Sequence, residues 1–116
     1  MSLKTYEIAG AARSAANGEH ILGAQDTGSH ACYLLYGVMR PGEAERRICP
    51  GAGHEELVLA ARGSFLVSGC FSGELQEGSA FHISGADICY LENRGTDEAV
   101  YCIAGGHSSA GHHESG

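Results

Sequence analysis

Three of the seven histidines, His107, His112 and His113, crowd into a short tail of Gly, Ser, His and Glu. A His-rich tract of this kind can bind nickel, zinc or copper. Its affinity should be modest, because a flexible segment loses entropy when it wraps an ion. A second set of donors lies upstream. His54 and Glu56 stand two residues apart in HEELVLAAR, and residues two apart on a strand share a face. Five cysteines, Cys32, Cys49, Cys70, Cys89 and Cys102, form no CxxC pair. Their odd number and the lack of a secretory signal disfavour a disulfide framework. The plain expectation is that most are small buried hydrophobes. Tyr33, Tyr36, Tyr90 and Tyr101 fall in strand-like runs and are expected in a core or an interface. Arg47 and Arg62 could pair with Glu45 or Glu55 on an outer face, for at most about 1 kcal/mol, or, pointing inward, hold a carboxylate substrate.

The elements that must carry these groups are short. The chain has 116 residues, enough for one domain and one core. Eighteen are glycine, about twice the usual ~7%. With two prolines and no tryptophan, the chain must make many tight turns, which favours strands over long helices. Strand signals run over Lys4–Ile8, Ala31–Met39, Ala44–Cys49, Glu55–Ala61, Ser64–Ser68, Ala80–Ile83, Ile88–Glu92 and Ala99–Ala104. Ala9–Gly18 reads as loop or one helical turn. Glu55–Arg62 could pass for two helical turns in isolation, but its length and flanking glycines favour a strand. His82 alternates with Phe81 and Ile83 and should face away from them. In Ile88–Glu92, either Ile88 and Tyr90 or Cys89 and Leu91 take the interior. The folded core is expected over about residues 28–104, with a flexible tail over 105–116.

The net charge of −7 argues against nucleic acid or an anionic membrane as partner. The longest apolar run, Ala31–Tyr36, is far short of a membrane span. The first ten residues hold one lysine and no apolar signal core. These features predict a soluble, cytoplasmic protein.

Pro41–Gly63 and Gly78–Asn93 resemble the two motifs of the cupin family. The second motif, Gly-x5-Pro-x-Gly-x2-His-x3-Asn, can be laid from Gly78 to Asn93 without a gap. Ser84 stands at its proline, Ala86 at its glycine and Cys89 at its metal-binding histidine. The first motif, Gly-x5-His-x-His-x3–4-Glu-x6-Gly, is half present. Glu56-x6-Gly63 fits its end, while Cys49 and Gly51, or Pro50 and Ala52, replace the histidine pair.

The resemblance implies an all-β fold, the double-stranded β-helix or jelly-roll barrel, over about residues 30–104. It also implies that Cys49, Glu56 and Cys89 converge from three strands on one interior point, with His54 joining from the Glu56 face. Such a set would favour one divalent zinc, iron or copper over magnesium or calcium. The missing His-x-His pair equally suits a barrel that has given up its metal. Glu56 would then be an inward carboxylate needing a partner, such as a tyrosine hydroxyl or an arginine.

Two functions are therefore expected. The first is a small-molecule binding module, a sensor or accessory protein with its ligand in the barrel. The alternative is a metal-dependent cupin enzyme of isomerase, dioxygenase or decarboxylase type. If Glu56 faces the lumen, Leu57 and Leu59 face outward and need cover, which predicts a homodimer.

Overall fold

The computed structural model describes residues 2–108. Along them run helix α1 (Ile8–Ser14), strand β1 (Glu19–Leu22), helix α2 (Ala24–Thr27), and strands β2 (Cys32–Met39), β3 (Arg46–Ile48), β4 (His54–Arg62), β5 (Phe65–Gly69), β6 (Gly73–Leu75), β7 (Ala80–Ser84), β8 (Cys89–Glu92) and β9 (Ala99–His107). Two antiparallel sheets face each other, in the orders β1-β2-β9-β4-β7 and β3-β8-β5-β6. This is the jelly-roll barrel that the sequence predicts. No helix among the described residues is long and apolar enough to cross a membrane.

Alternation along the strands decides what enters the barrel. On β4, Glu56, Val58 and Ala60 are buried while Leu57 and Leu59 are exposed. On β8, Cys89 and Leu91 take the interior, which settles the facing of that strand. They join Leu35, Ile48, Val58, Phe65, Ile83 and Ile103 in one apolar core. Asn93, almost wholly buried, ties the turn after β8. Its Nδ2 donates to the carbonyls of Met39, Arg40 and Asp97, at 3.1, 3.2 and 2.9 Å.

The structure departs from the sequence expectations mainly at the two ends. No strand forms over Lys4–Ile8. Glu7 instead caps a helix, its Oε1 accepting from the Gly10 amide at 2.9 Å, and the alanine-rich run that follows favours the helical state. This helix packs on β1 and β2, so the fold begins well before residue 28. Strands β1 and β6, four and three residues long, lie below the length at which alternation can be read.

At the far end, β9 continues through Gly105 and Gly106 to His107. The expected tail from residue 105 is therefore strand for three residues. Glycine is weak in strands because it leaves a packing gap, but here neighbours fill the gap. A Cβ on Gly105 would meet the Tyr33 ring at 2.2 Å. His112 and His113 lie outside the described residues.

The outer-face ion pairs also differ from expectation. Glu55 bonds His82, Oε1 to Nε2 at 2.7 Å, on the outward face predicted for His82. Arg62 reaches Glu98 at 3.9 Å. Both pairs are exposed and contribute little to stability.

Candidate functional site

Two rows of side chains cross the inner face of the five-stranded sheet, and each is built the same way. In the first, Tyr33 on β2 stands opposite Gly105 on β9, which stands opposite Glu56 on β4. The tyrosine ring lies flat across the glycine, and its hydroxyl donates to Glu56 Oε2 at 2.5 Å. In the second, Tyr101 on β9 lies across Gly37 on β2, and its hydroxyl donates to Glu19 Oε2 on β1. A Cβ on Gly37 would sit 2.1 Å from the Tyr101 ring. Each contact spans two strand spacings, roughly 10 Å. Only a glycine on the middle strand leaves the ring a path.

The rows end differently. Glu19 has a cation close by. Arg46 Nη1 lies 3.6 Å from its Oε2 and donates to the Tyr101 hydroxyl at 2.7 Å. Arg46 Nη2 also donates to Glu43 Oε2 at 2.7 Å and to the Val38 carbonyl at 3.1 Å. That row is a closed network around a fully buried tyrosine. Glu56 is 9% exposed. Among the described residues it has no ion pair, and its Oε1 accepts no hydrogen bond.

Glu56 instead faces a cavity of about 450 Å³ at the barrel mouth, lined with Tyr33, Leu35, Ile48, Cys49 and Ile103. Arg47 also lines it without reaching the carboxylate. Its lining is mixed: Leu35, Ile48 and Ile103 are apolar, Glu19 and Glu56 are acidic and Arg47 is basic, and apolar surface with a few polar groups is typical of small-molecule sites.

Burial raises the pKa of Tyr33, and the hydrogen bond to Glu56 raises it further. Burial also raises Tyr101, with Glu19 adding to the rise and Arg46 opposing it. Both hydroxyls therefore stay protonated and donate at neutral pH.

The four residues proposed from the sequence as metal ligands are not gathered at one point. Glu56 and Cys49 line the same cavity, but the Cys49 thiol is turned to the Gly85 carbonyl at 3.9 Å. His54 lies near Tyr33, with ring centroids 6.3 Å apart. Its Nδ1 is 3.2 Å from the Ala52 carbonyl, and its ring stacks on His107 at 5.1 Å. Cys89 points inward as expected, but its Sγ lies 3.5 Å from Cys70 Sγ. Among the described residues no three His, Cys, Asp or Glu side chains are placed to hold a metal. The donor set does not fit the expected ion. The sequence offers four strand tyrosines as core or interface residues and does not mark Tyr33 as the partner of Glu56. The available signal was a glycine inside a strand, which marks the close approach of another group.

A barrel of two facing antiparallel sheets with an inward-facing site at its mouth is the cupin fold, and solved structures bear this out. An oxalate oxidase aligns with a TM-score of 0.66 at 19% identity, over 81% of this chain and 53% of its own. A cupin-superfamily sugar phosphate isomerase from Silicibacter pomeroyi aligns at 0.60 with 14% identity, over 78% and 60% of the two chains. A predicted oxalate decarboxylase from Thermotoga maritima aligns at 0.64 with 12% identity, over 78% and 81%. The chain thus spans little more than half of the first two proteins. At these identities the likeness concerns the fold, which hosts many activities. No protein-family model and no curated protein matches the sequence.

The two donor tyrosines make a pH prediction. A hydroxyl whose pKa is higher folded than unfolded stabilises the fold below the unfolded value, and the gain is lost as pH climbs above it. Stability should therefore fall as pH rises past about 10, the ordinary tyrosine value. Absorbance at 295 nm should show two tyrosines that ionise only as the barrel is lost, and one in Tyr33→Phe. Ionisation of all five tyrosines in the intact fold would contradict the assignment.

Proposed function

We propose that the barrel mouth binds a small molecule with an apolar body and a cationic or hydroxyl donor, seated on Glu56. The observation that carries this is the contrast between the two tyrosine–glutamate rows. Glu19 is neutralised within the protein by Arg46, whereas Glu56 lines the cavity and makes no ion pair among the described residues, Arg47 lining the same cavity without reaching it. A carboxylate in such surroundings is costly unless something pairs with it, and a ligand ammonium or hydroxyl supplies that partner. The module would act as a sensor or an accessory protein.

Cyclohexylamine is the probe, since it joins one ammonium to one apolar ring. Backbone amide shifts in heteronuclear NMR should move around Tyr33, Ile48 and Glu56. Cyclohexanecarboxylate should move none of them, and Glu56→Gln should weaken amine binding at least about tenfold, the loss of roughly 1.4 kcal/mol. Equal binding of amine and carboxylate would overturn the proposal. The alternative is a metal-dependent enzyme, which would require Cys49, His54, Glu56 and Cys89 to gather around an ion as they do not in this structure. Failure of the amine, with about one zinc, iron or copper held per chain and lost in Glu56→Gln, would favour it.

We also infer a homodimer through the outer face of the five-stranded sheet. Leu34 and Leu57, both exposed, share a hollow of about 610 Å³ there, and exposed Leu59 lies on the same face of β4. The Glu55–His82 pair sits at its rim. A two-fold axis through this face would cover the leucines of each copy with those of the other. Light scattering at micromolar concentration should give twice the 12.0 kDa chain mass, and Leu57→Glu should halve it. A monomer before substitution would contradict the inference.

A further inference from the structure

Away from the barrel mouth, two thiols meet at the end of the smaller sheet. Cys89 on β8 is wholly buried in the core, and Cys70, just past β5, is exposed. Their Sγ atoms are 3.5 Å apart. The backbone fixes this approach. Gly69 is paired with Cys89 in the ladder, and the Cys70 amide donates to the Ile88 carbonyl at 3.0 Å. Gly69 has φ +107°, and a Cβ there would meet the Ile88 carbonyl oxygen at 2.5 Å. Only glycine lets the chain turn so tightly that the next residue points back at Cys89.

We propose that Cys70 and Cys89 form a reversible dithiol site for low-molecular-weight disulfides, independent of the ligand cavity. Cys70, the thiol that solvent can reach, attacks one sulfur of the incoming disulfide as its thiolate. That S–S bond breaks, one small thiol leaves, and a mixed disulfide remains on Cys70. Cys89 then attacks Cys70 Sγ, forming the intramolecular bond and releasing the second small thiol. The two protons lost by the cysteines go to the departing thiolates. The protein is oxidised by two electrons and the small disulfide is reduced to two thiols. Bond formation needs the sulfurs to close from 3.5 Å to about 2.05 Å. Cys70 stands outside the regular strand, so the backbone there can supply that movement.

The two-step order follows from burial. Cys89 is sealed from any disulfide in solution, so it enters only after Cys70 has been modified. Among the described residues no other thiol is paired with either of them. The Cys49 thiol is turned to the Gly85 carbonyl, and Cys32 and Cys102 lie on the other sheet.

The test uses the full reduced chain and oxidised glutathione. After reaction the protein is quenched in acid, alkylated, unfolded and digested with a protease that cleaves after glutamate. Cys70 then lies in Leu57–Glu74 and Cys89 in Gly78–Glu92. The two peptides should run as one species, lighter by about 2 Da than their sum, and separate on reduction. In Cys70→Ser, Cys89 should stay free of glutathione while the protein is folded. Three results would each overturn the proposal: a lasting glutathione adduct on Cys70 with Cys89 free, a link to another cysteine, or no modification of either thiol.

Discussion

The larger sheet depends on two tyrosines that lie across two glycines. Glycine in a strand costs conformational entropy and leaves a hole in the packing. Gly37 and Gly105 are nonetheless placed where β2 and β9 run side by side, and each hole admits a ring from the facing strand. The ring recovers the lost packing, and its hydroxyl reaches a carboxylate one strand further on. Three strands are tied at each end of the sheet by one side chain apiece. The same constraint turns two acidic groups inward, where charge without a partner is expensive. One end answers this with Arg46. The other leaves a carboxylate open to a cavity, and the proposed chemistry of the barrel mouth rests on that asymmetry.

The fold was legible wherever alternation ran long enough. Strands β2, β4, β7 and β8 stand within a residue or two of their expected limits, because each is an apolar or alternating run of strand length closed by glycine, proline or asparagine. The facing of Glu56 followed from its place in the motif resembling cupins, and the outward turn of Leu57 and Leu59 followed from it. What escaped was local or very short. Helix α1 depends on a side-chain cap from Glu7, and β1 and β6 are too short to show a period. The end of β9 looked like a tail because Gly105 and Gly106 carry no strand signal of their own. Their strand state comes from Tyr33 and from the register with β4.

The site was legible in part for the same reason. Glu56 is a single residue in a recognisable motif, so it could be named. Its partner Tyr33 lies two strands away in the sheet, and no spacing in the sequence connects them. Cys89 points inward as the motif implies, yet its neighbour is Cys70. That contact is made by a glycine turn at Gly69, outside either motif. The ligand set fails to gather because motif positions fix the direction of a side chain and leave its nearest neighbour undetermined.

The link between Tyr33 and Glu56 organises the barrel mouth. A double-mutant cycle of Tyr33→Phe and Glu56→Gln, read by urea unfolding, tests it most directly. If the hydroxyl holds the carboxylate in the mouth, the two substitutions should be coupled by about 1 kcal/mol or more. Effects that add to within about 0.5 kcal/mol would mean that the two groups do not meet in solution, and the barrel mouth would lose its organising contact.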